Sequence, residues 1–308
     1  MQIYRQLPCL AVATLSLTAA SLSPAFAHGI VGARVFPVTL AIDDPAVSDE
    51  LSLPTVTHTQ EDDGSRETAV SVEFAKRLTD RFGISFEEEW SHIKPDGSGF
   101  QNLETTFKYL LFTDAPSEFM LSTGASIEWG GTGADRVGAE DFSVVTPQLY
   151  FGKGFGDLPD TLGELRPFAI TGQFGLDVPT KSKSRTALGG GGFDVEANPK
   201  VFDWGFSLQY SLPYMNANVR QIDGPEFLRH LTPVVEFAFS TPVSNTGGDN
   251  TTTGTINPGL IYSADSWQLA AEAIIPINQE SGEHVGGIVQ LHFFLDDIFP
   301  NSLGKPLF

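Results

Sequence analysis

Ten ionisable side chains fall on one parity of alternating segments: Glu73, Glu87, Glu89, Glu104, Lys108, Glu128, Asp203, Glu236, Glu272 and His292. Against hydrocarbon a basic group near mid-bilayer costs about 2–4 kcal/mol, so a membrane-spanning sheet would turn all ten inward as pore-lining candidates. An open lumen so lined favours cations and neutral solutes over anions. A narrow, filled one pairs its carboxylates with Lys and Arg instead.

Covalent chemistry has less to draw on. The chain contains no Gly-x-Ser-x-Gly, Walker or His-Glu-x-x-His pattern, so no catalytic residue, metal site or cofactor is assigned. His58 with Glu61, Asp62 and Asp63 offers ligand types for a divalent cation, but such a charge run reads as solvated linker. His28-Gly29 would start the chain after cleavage at Ala27. That pair is similar to the copper brace of lytic polysaccharide monooxygenases over two residues only. None of the other histidines, His58, His92, His230, His284 and His292, sits in a matching context.

The elements that must position these charges are strands. Phe202, Trp204, Phe206, Leu208 and Tyr210 alternate with Asp203, Gly205, Ser207 and Gln209, greasy on one face and polar on the other. The same period recurs around Phe82–Trp90, Phe119–Trp129, Leu231–Phe239, Trp267–Ile277 and Val285–Leu295. Less regular segments lie at 68–78, 102–112, 142–152, 164–176 and 255–263. A twelfth near Arg34–Ile42 would make the count even. Trp90, Trp129, Trp204, Tyr210, Tyr262 and Trp267 stand at strand ends, where an interfacial girdle would place them. A soluble sandwich also alternates but uses fewer strands. The pattern therefore predicts an all-β fold: a transmembrane antiparallel up-and-down β-barrel of about 12 strands, in outer-membrane lipid.

Export is expected from the N-terminus. Arg5 precedes an apolar run from Leu7 to Leu22 and the Ala25-Phe26-Ala27 cleavage pattern, so residues 1–27 read as a signal peptide. Residues 28–65 read as an N-terminal segment, first strand or plug, 66–297 as the barrel, and 298–308 as a C-terminal tail. Pro300 and Pro306 end the last strand near Leu295 or Asp297 and leave a tail able to fold back. The single cysteine, Cys9, leaves with the signal, so no disulfide is expected. With a formal charge of −20, nucleic acid is not an expected partner. By length, 177–200, 213–228 and 243–253 read as extracellular loops, while Gly64, Asp96 to Gly99 and Ala264-Asp265 read as turns.

The stretches Gly152-Lys153-Gly154-Phe155-Gly156-Asp157-Leu158-Pro159, Leu165-Arg166-Pro167-Phe168-Ala169 and Gln290-Leu291-His292-Phe293-Phe294-Leu295-Asp296-Asp297 resemble those of proteobacterial exported proteins related to the MetA-pathway-of-phenol-degradation family. The resemblance implies an outer-membrane channel, inserted by the barrel-assembly machinery, for passive uptake of small hydrophobic or aromatic solutes. Two other functions fit the residues. In one, a closed structural or adhesive barrel, the lumen is filled by side chains or by residues 28 to 60. In the other, a membrane-embedded enzyme, Ser and His come within hydrogen-bond reach near the bilayer edge.

Overall fold

The computed structural model describes residues 29–60, 64–187, 192–248 and 250–308; the expected signal peptide, His28 and the acidic run 61–63 lie outside them. Twelve antiparallel strands form a closed barrel. They are β1 (Glu50–Gln60), β2 (Arg66–Arg77), β3 (Phe82–Lys94), β4 (Glu104–Asp114), β5 (Phe119–Glu128) and β6 (Val144–Gly154). They continue as β7 (Phe168–Pro179), β8 (Lys200–Tyr210), β9 (Leu231–Ser244), β10 (Thr253–Ser263), β11 (Trp267–Pro276) and β12 (Gly286–Phe294). Each strand pairs with its sequence neighbours, and β12 pairs with β1 from Gly287 opposite His58 to Phe294 opposite Glu50. Closure satisfies the backbone groups that an open sheet would leave bare in lipid.

Alternation decides which face is which. On β8, Ser207 and Gln209 are buried in the lumen while Leu208 is exposed on the outer wall. Outward aromatics from adjacent strands pack on one another: Trp204 tilted on Phe239 and Phe206 stacked on Phe237, each with centroids 4.5 Å apart, and Phe174 stacked on Phe202 at 6.2 Å. Cross-strand pairs of this kind contribute about 0.2–1 kcal/mol each. Trp90, Trp129 and Trp204 lie toward one end of the barrel, and Tyr210, Tyr262 and Trp267 toward the other.

The structure moves one strand. Residues 34–42, read as the twelfth strand, lie inside the lumen, and the strand that completes the barrel is Glu50–Gln60. The barrel thus begins at 50 and not at 66. Pro54 had hidden β1, because a proline interrupts the period and donates nothing to the ladder. The ladder steps over it, shifting register between Ser52 and Thr55 against β2 and between Gln290 and His292 against β12.

The turns after β2, β4, β6, β8 and β10 share one end with the entry to β1 and the exit from β12, here called the terminal end. The loops after β1, β3, β5, β7, β9 and β11 lie at the far end. Residues 213–228 therefore sit opposite the loops 177–200 and 243–253, with which the sequence reading grouped them. One strand, β8, separates 213–228 from 177–200, so the two cannot share an end. At the terminal end α1 (Leu212–Asn218) is capped by Ser211, whose Oγ accepts from the Tyr214 N–H at 3.1 Å. The C-terminal residues fold back: Lys76 donates to the carbonyls of Leu303 and Lys305, Arg77 to that of Gly304, and the Phe308 N–H to Leu78 O. Asp49, fully buried, holds Lys76 at 2.5 Å and Arg77 at 2.7 Å.

Candidate functional site

Residues 29–49 lie in the lumen as a plug. It starts with a short hairpin, Ile30–Val31 against Arg34–Val35. Val31, Phe36 and Ala46 form a buried apolar cluster with Met120 of β5, Ala169 of β7 and the partly buried Leu110 of β4. Leu40 packs on a second cluster, Val234, Ile261 and Ala270, on β9 to β11. Inner-wall glycines make room. A Cβ on Gly152 would stand 3.0 Å from the Phe36 ring, and one on Gly205 would stand 2.7 Å from Ile42.

Three charged groups are among the polar anchors that fix the plug. Arg34, fully buried, meets Glu118 at 3.0 Å, donates to the carbonyls of Pro167 (3.0 Å) and Arg166 (2.5 Å), and covers the Tyr214 ring at 3.8 Å. Burial lowers the Arg34 pKa, and the Glu118 carboxylate opposes that shift. Glu236 accepts three plug N–H groups, from Leu40 (2.8 Å), Ala41 (2.9 Å) and Ile42 (3.0 Å). Lys108 pairs with Asp43 at 2.7 Å, donates to Asp44 O at 2.9 Å and lies 4.6 Å from the Tyr150 ring centroid. Burial pushes the Asp44 carboxyl well above the usual carboxylate range; Lys108 opposes this, and Glu50 and Asp43 add to it.

Toward the far end of the plug lies a cavity of about 250 Å³, bounded by Asp43 and by Glu73, Glu87 and Glu104. Those glutamates belong to a row. Glu73 is directly opposite Glu87, Glu87 opposite Glu104, and Glu104 opposite Glu128, on four successive strands. Like charges facing across strands repel, so the row works against the sheet that carries it. Glu128 ends the row beside the far loops, accepting from Asn102 Nδ2 at 2.9 Å.

The other candidates are scattered. Glu89 accepts from Ser91 at 3.1 Å, and Asp203 accepts from Ser240 on another part of the wall. Glu272 lies beside Glu236 under the plug. His292 Nδ1 is 2.9 Å from Ser52 Oγ, with Glu50 3.7 Å from Nε2. The ten residues therefore form no single ring. The sequence reading missed the plug's own contributions, Arg34, Asp43 and Asp44, and their wall partners Glu118 and Tyr150. Arg34, Asp43 and Asp44 carry no alternation that would mark them, Tyr150 shares the inward parity of Thr146 on β6 but bears no charge, and the roles of all five depend on contacts distant in sequence.

Two serine–histidine pairs bear on covalent chemistry. Ser52 and His292 face a cavity of about 50 Å³ between plug and wall, with room for a few water molecules. His92 Nδ1 and Ser98 Oγ are 2.7 Å apart toward the far end, with no carboxylate on the imidazole's other nitrogen among the described residues. No group of three or more His, Cys, Asp or Glu side chains among the described residues is arranged to hold a metal ion.

Fold and site together define a twelve-stranded up-and-down barrel with an apolar outer wall, a polar inner wall and a plug supplied by its own N-terminal residues. No protein-family model and no curated protein matches the chain. Among solved structures, the chain is similar to the KdgM porin, at 13% identity and TM-score 0.46, covering 78% of this chain and 97% of that one. It is likewise similar to the NanC porin, at 9% identity and TM-score 0.46, covering 78% and 98%. The beta domain of the Bordetella autotransporter BrkA is similar at 11% identity and TM-score 0.46, covering 80% and 99%.

Proposed function

We propose that this protein is an outer-membrane channel for small neutral or cationic solutes, exported through a cleaved signal peptide, and held closed by residues 29–49. One observation carries the reading: a closed sheet, greasy outside and polar inside, encloses a glutamate-lined cavity that ends on a plug held by a few polar anchors. The outer wall calls for lipid as its surroundings, and aromatics at both ends suit the two interfaces. Insertion by the barrel-assembly machinery is part of the proposal. With the termini at one end, that end faces the periplasm and the longer loops face outward. The hydrophobic or aromatic solutes implied by the family resemblance find little apolar wall at this cavity, whereas carboxylates favour cations.

A specific observation favours a second reading, in which the barrel never opens and serves as a closed support for its outer loops: the lumen is filled by residues 29–49. Planar-bilayer recording separates the two. Wild-type protein should pass little current, and a variant lacking residues 29–47 should pass a steady, cation-selective current. A deletion variant that folds, shifts on gels and still does not conduct would establish the closed barrel.

A further inference from the structure

Two cavities approach each other across the plug. The far cavity, described above, includes Val38 of the plug and Gln290 of β12 in its lining. A second, of about 470 Å³, opens at the terminal end and includes Pro37 of the plug and Gln268 of β11. Pro37 and Val38 are consecutive, so along this wall the plug separates the cavities by about one residue of chain. A single hydrogen bond, 2.7 Å from Gln268 Nε2 to Val38 O, ties the partition to the wall.

The wall at the partition also shows what it would hold. On β12 the inward residues run Gln290 and then His292, and His292 stands directly opposite Gln268 on β11. All three side chains are more than nine-tenths buried, yet Gln290 Oε1, Gln268 Oε1 and His292 Nε2, the last with the Glu50 carboxylate 3.7 Å away, have no hydrogen-bond partner among the described residues. Asn257 Oδ1 on β10 is in the same condition. Buried polar atoms are rarely left unmade, so a run of them beside a thin partition is a surface shaped for something other than the plug. The Gln268 amide is oriented by its bond to Val38 O, which leaves its oxygen as the unpaired atom. Three of the four unpaired atoms are amide oxygens, which only accept.

We propose that solutes cross the plug at Val38, along the inner wall of β11 and β12, and that this lane takes small cations bearing N–H donors, the alkylammonium class. The proposal rests on the channel reading and deepens it. Acceptors in the lane replace the water that an ammonium group sheds, and the glutamate row concentrates such cations at the far mouth. Movement of two plug residues opens the lane while the Arg34 and Glu236 anchors stay in place.

The test uses the full mature protein in planar bilayers, with ethylammonium as the current carrier and gel mobility as the check on folding. Val38→Gly and Gln268→Ala should each raise ethylammonium current at least ten-fold, while Leu260→Ala, on the exposed outer wall of β10 away from the plug, should leave it near wild type. In a second arm, a cationic methanethiosulfonate added from the loop side should modify the Gln290→Cys variant readily. The same reagent should reach a Thr232→Cys variant, in the lining of the terminal cavity with the Gln268 tie intact, only when Val38→Gly is also present, and an anionic reagent should react at least ten-fold more slowly. If the variant lacking residues 29–47 does not conduct, the channel reading itself fails. If that variant conducts but Val38→Gly and Gln268→Ala change nothing, or loop-side reagent reaches the Thr232→Cys variant without Val38→Gly, the lane is wrong and the channel reading stands.

Discussion

Replacing Glu236 with alanine should undock the plug. The carboxylate accepts from three consecutive plug N–H groups at 2.8–3.0 Å, and Glu236 is fully buried. Leaving a buried donor without an acceptor costs about 1–3 kcal/mol, so three orphaned N–H donors come to about 3 kcal/mol at the low end. The low end applies because removing Glu236 also relieves the buried Glu272 beside it. At about 1.4 kcal/mol per tenfold, the undocked fraction should rise roughly 100-fold. Trypsin reads this directly, since Arg34 is the only Lys or Arg in residues 29–49 and is fully buried when the plug is docked. Cleavage after Arg34, followed by mass spectrometry of the detergent-solubilised barrel, tracks the undocked population when opening is fast relative to cleavage. Glu236→Ala should raise the rate about 100-fold, and Glu236→Gln, which keeps one acceptor oxygen, by much less. An unchanged rate for Glu236→Ala would refute the claim that this carboxylate holds the plug.

Other outcomes follow from the same contacts. Arg34→Met leaves Glu118 buried with the Gly156 N–H at 3.0 Å and the Tyr214 hydroxyl as partners but no counter-charge; breaking a buried pair costs about 3–5 kcal/mol, so open probability in bilayer recordings should rise at least 100-fold. Asp44 ties docking to pH. Its folded pKa is raised by burial, so its favourable contribution is fully present below the unfolded value, about 3.9, and is lost as pH rises through the folded value. Plug release measured against pH should therefore increase toward alkaline pH, and Asp44→Asn should flatten that dependence. In the variant lacking residues 29–47, Glu87→Gln or Glu104→Gln removes one wall charge from the acidic row. At roughly 7 Å in a water-like dielectric that charge favours a monovalent cation by about 0.6 kcal/mol and disfavours an anion by as much, so the cation-to-anion permeability ratio from reversal potentials should fall about seven-fold.

The barrel was legible in the sequence because each strand carries its own record of which face meets lipid. β8 and β12 state it in every second residue, and which side chains face inward follows from it. Glu73, Glu87, Glu104 and Glu128 were legible as inward residues for the same reason. Their alignment into one row was not, because it depends on the stagger of four strands, which turn lengths and bulges set. β1 was obscured by Pro54, and the plug could be raised only as one of two options for residues 28–65. Its residues obey no period. They are placed by single long-range contacts, Arg34 to Glu118 and Leu40 to Glu236, between positions far apart in the chain. The misplacement of residues 213–228 had a different origin, since loop length was weighed above the alternation of ends that an up-and-down barrel imposes.

Everything above depends on the sheet being closed in an outer membrane. Fractionation of expressing cells, followed by gel migration of boiled and unboiled samples, tests that most directly. The closed barrel predicts an outer-membrane band that runs faster unboiled and shifts on heating. A soluble periplasmic band whose mobility does not change on boiling would contradict it.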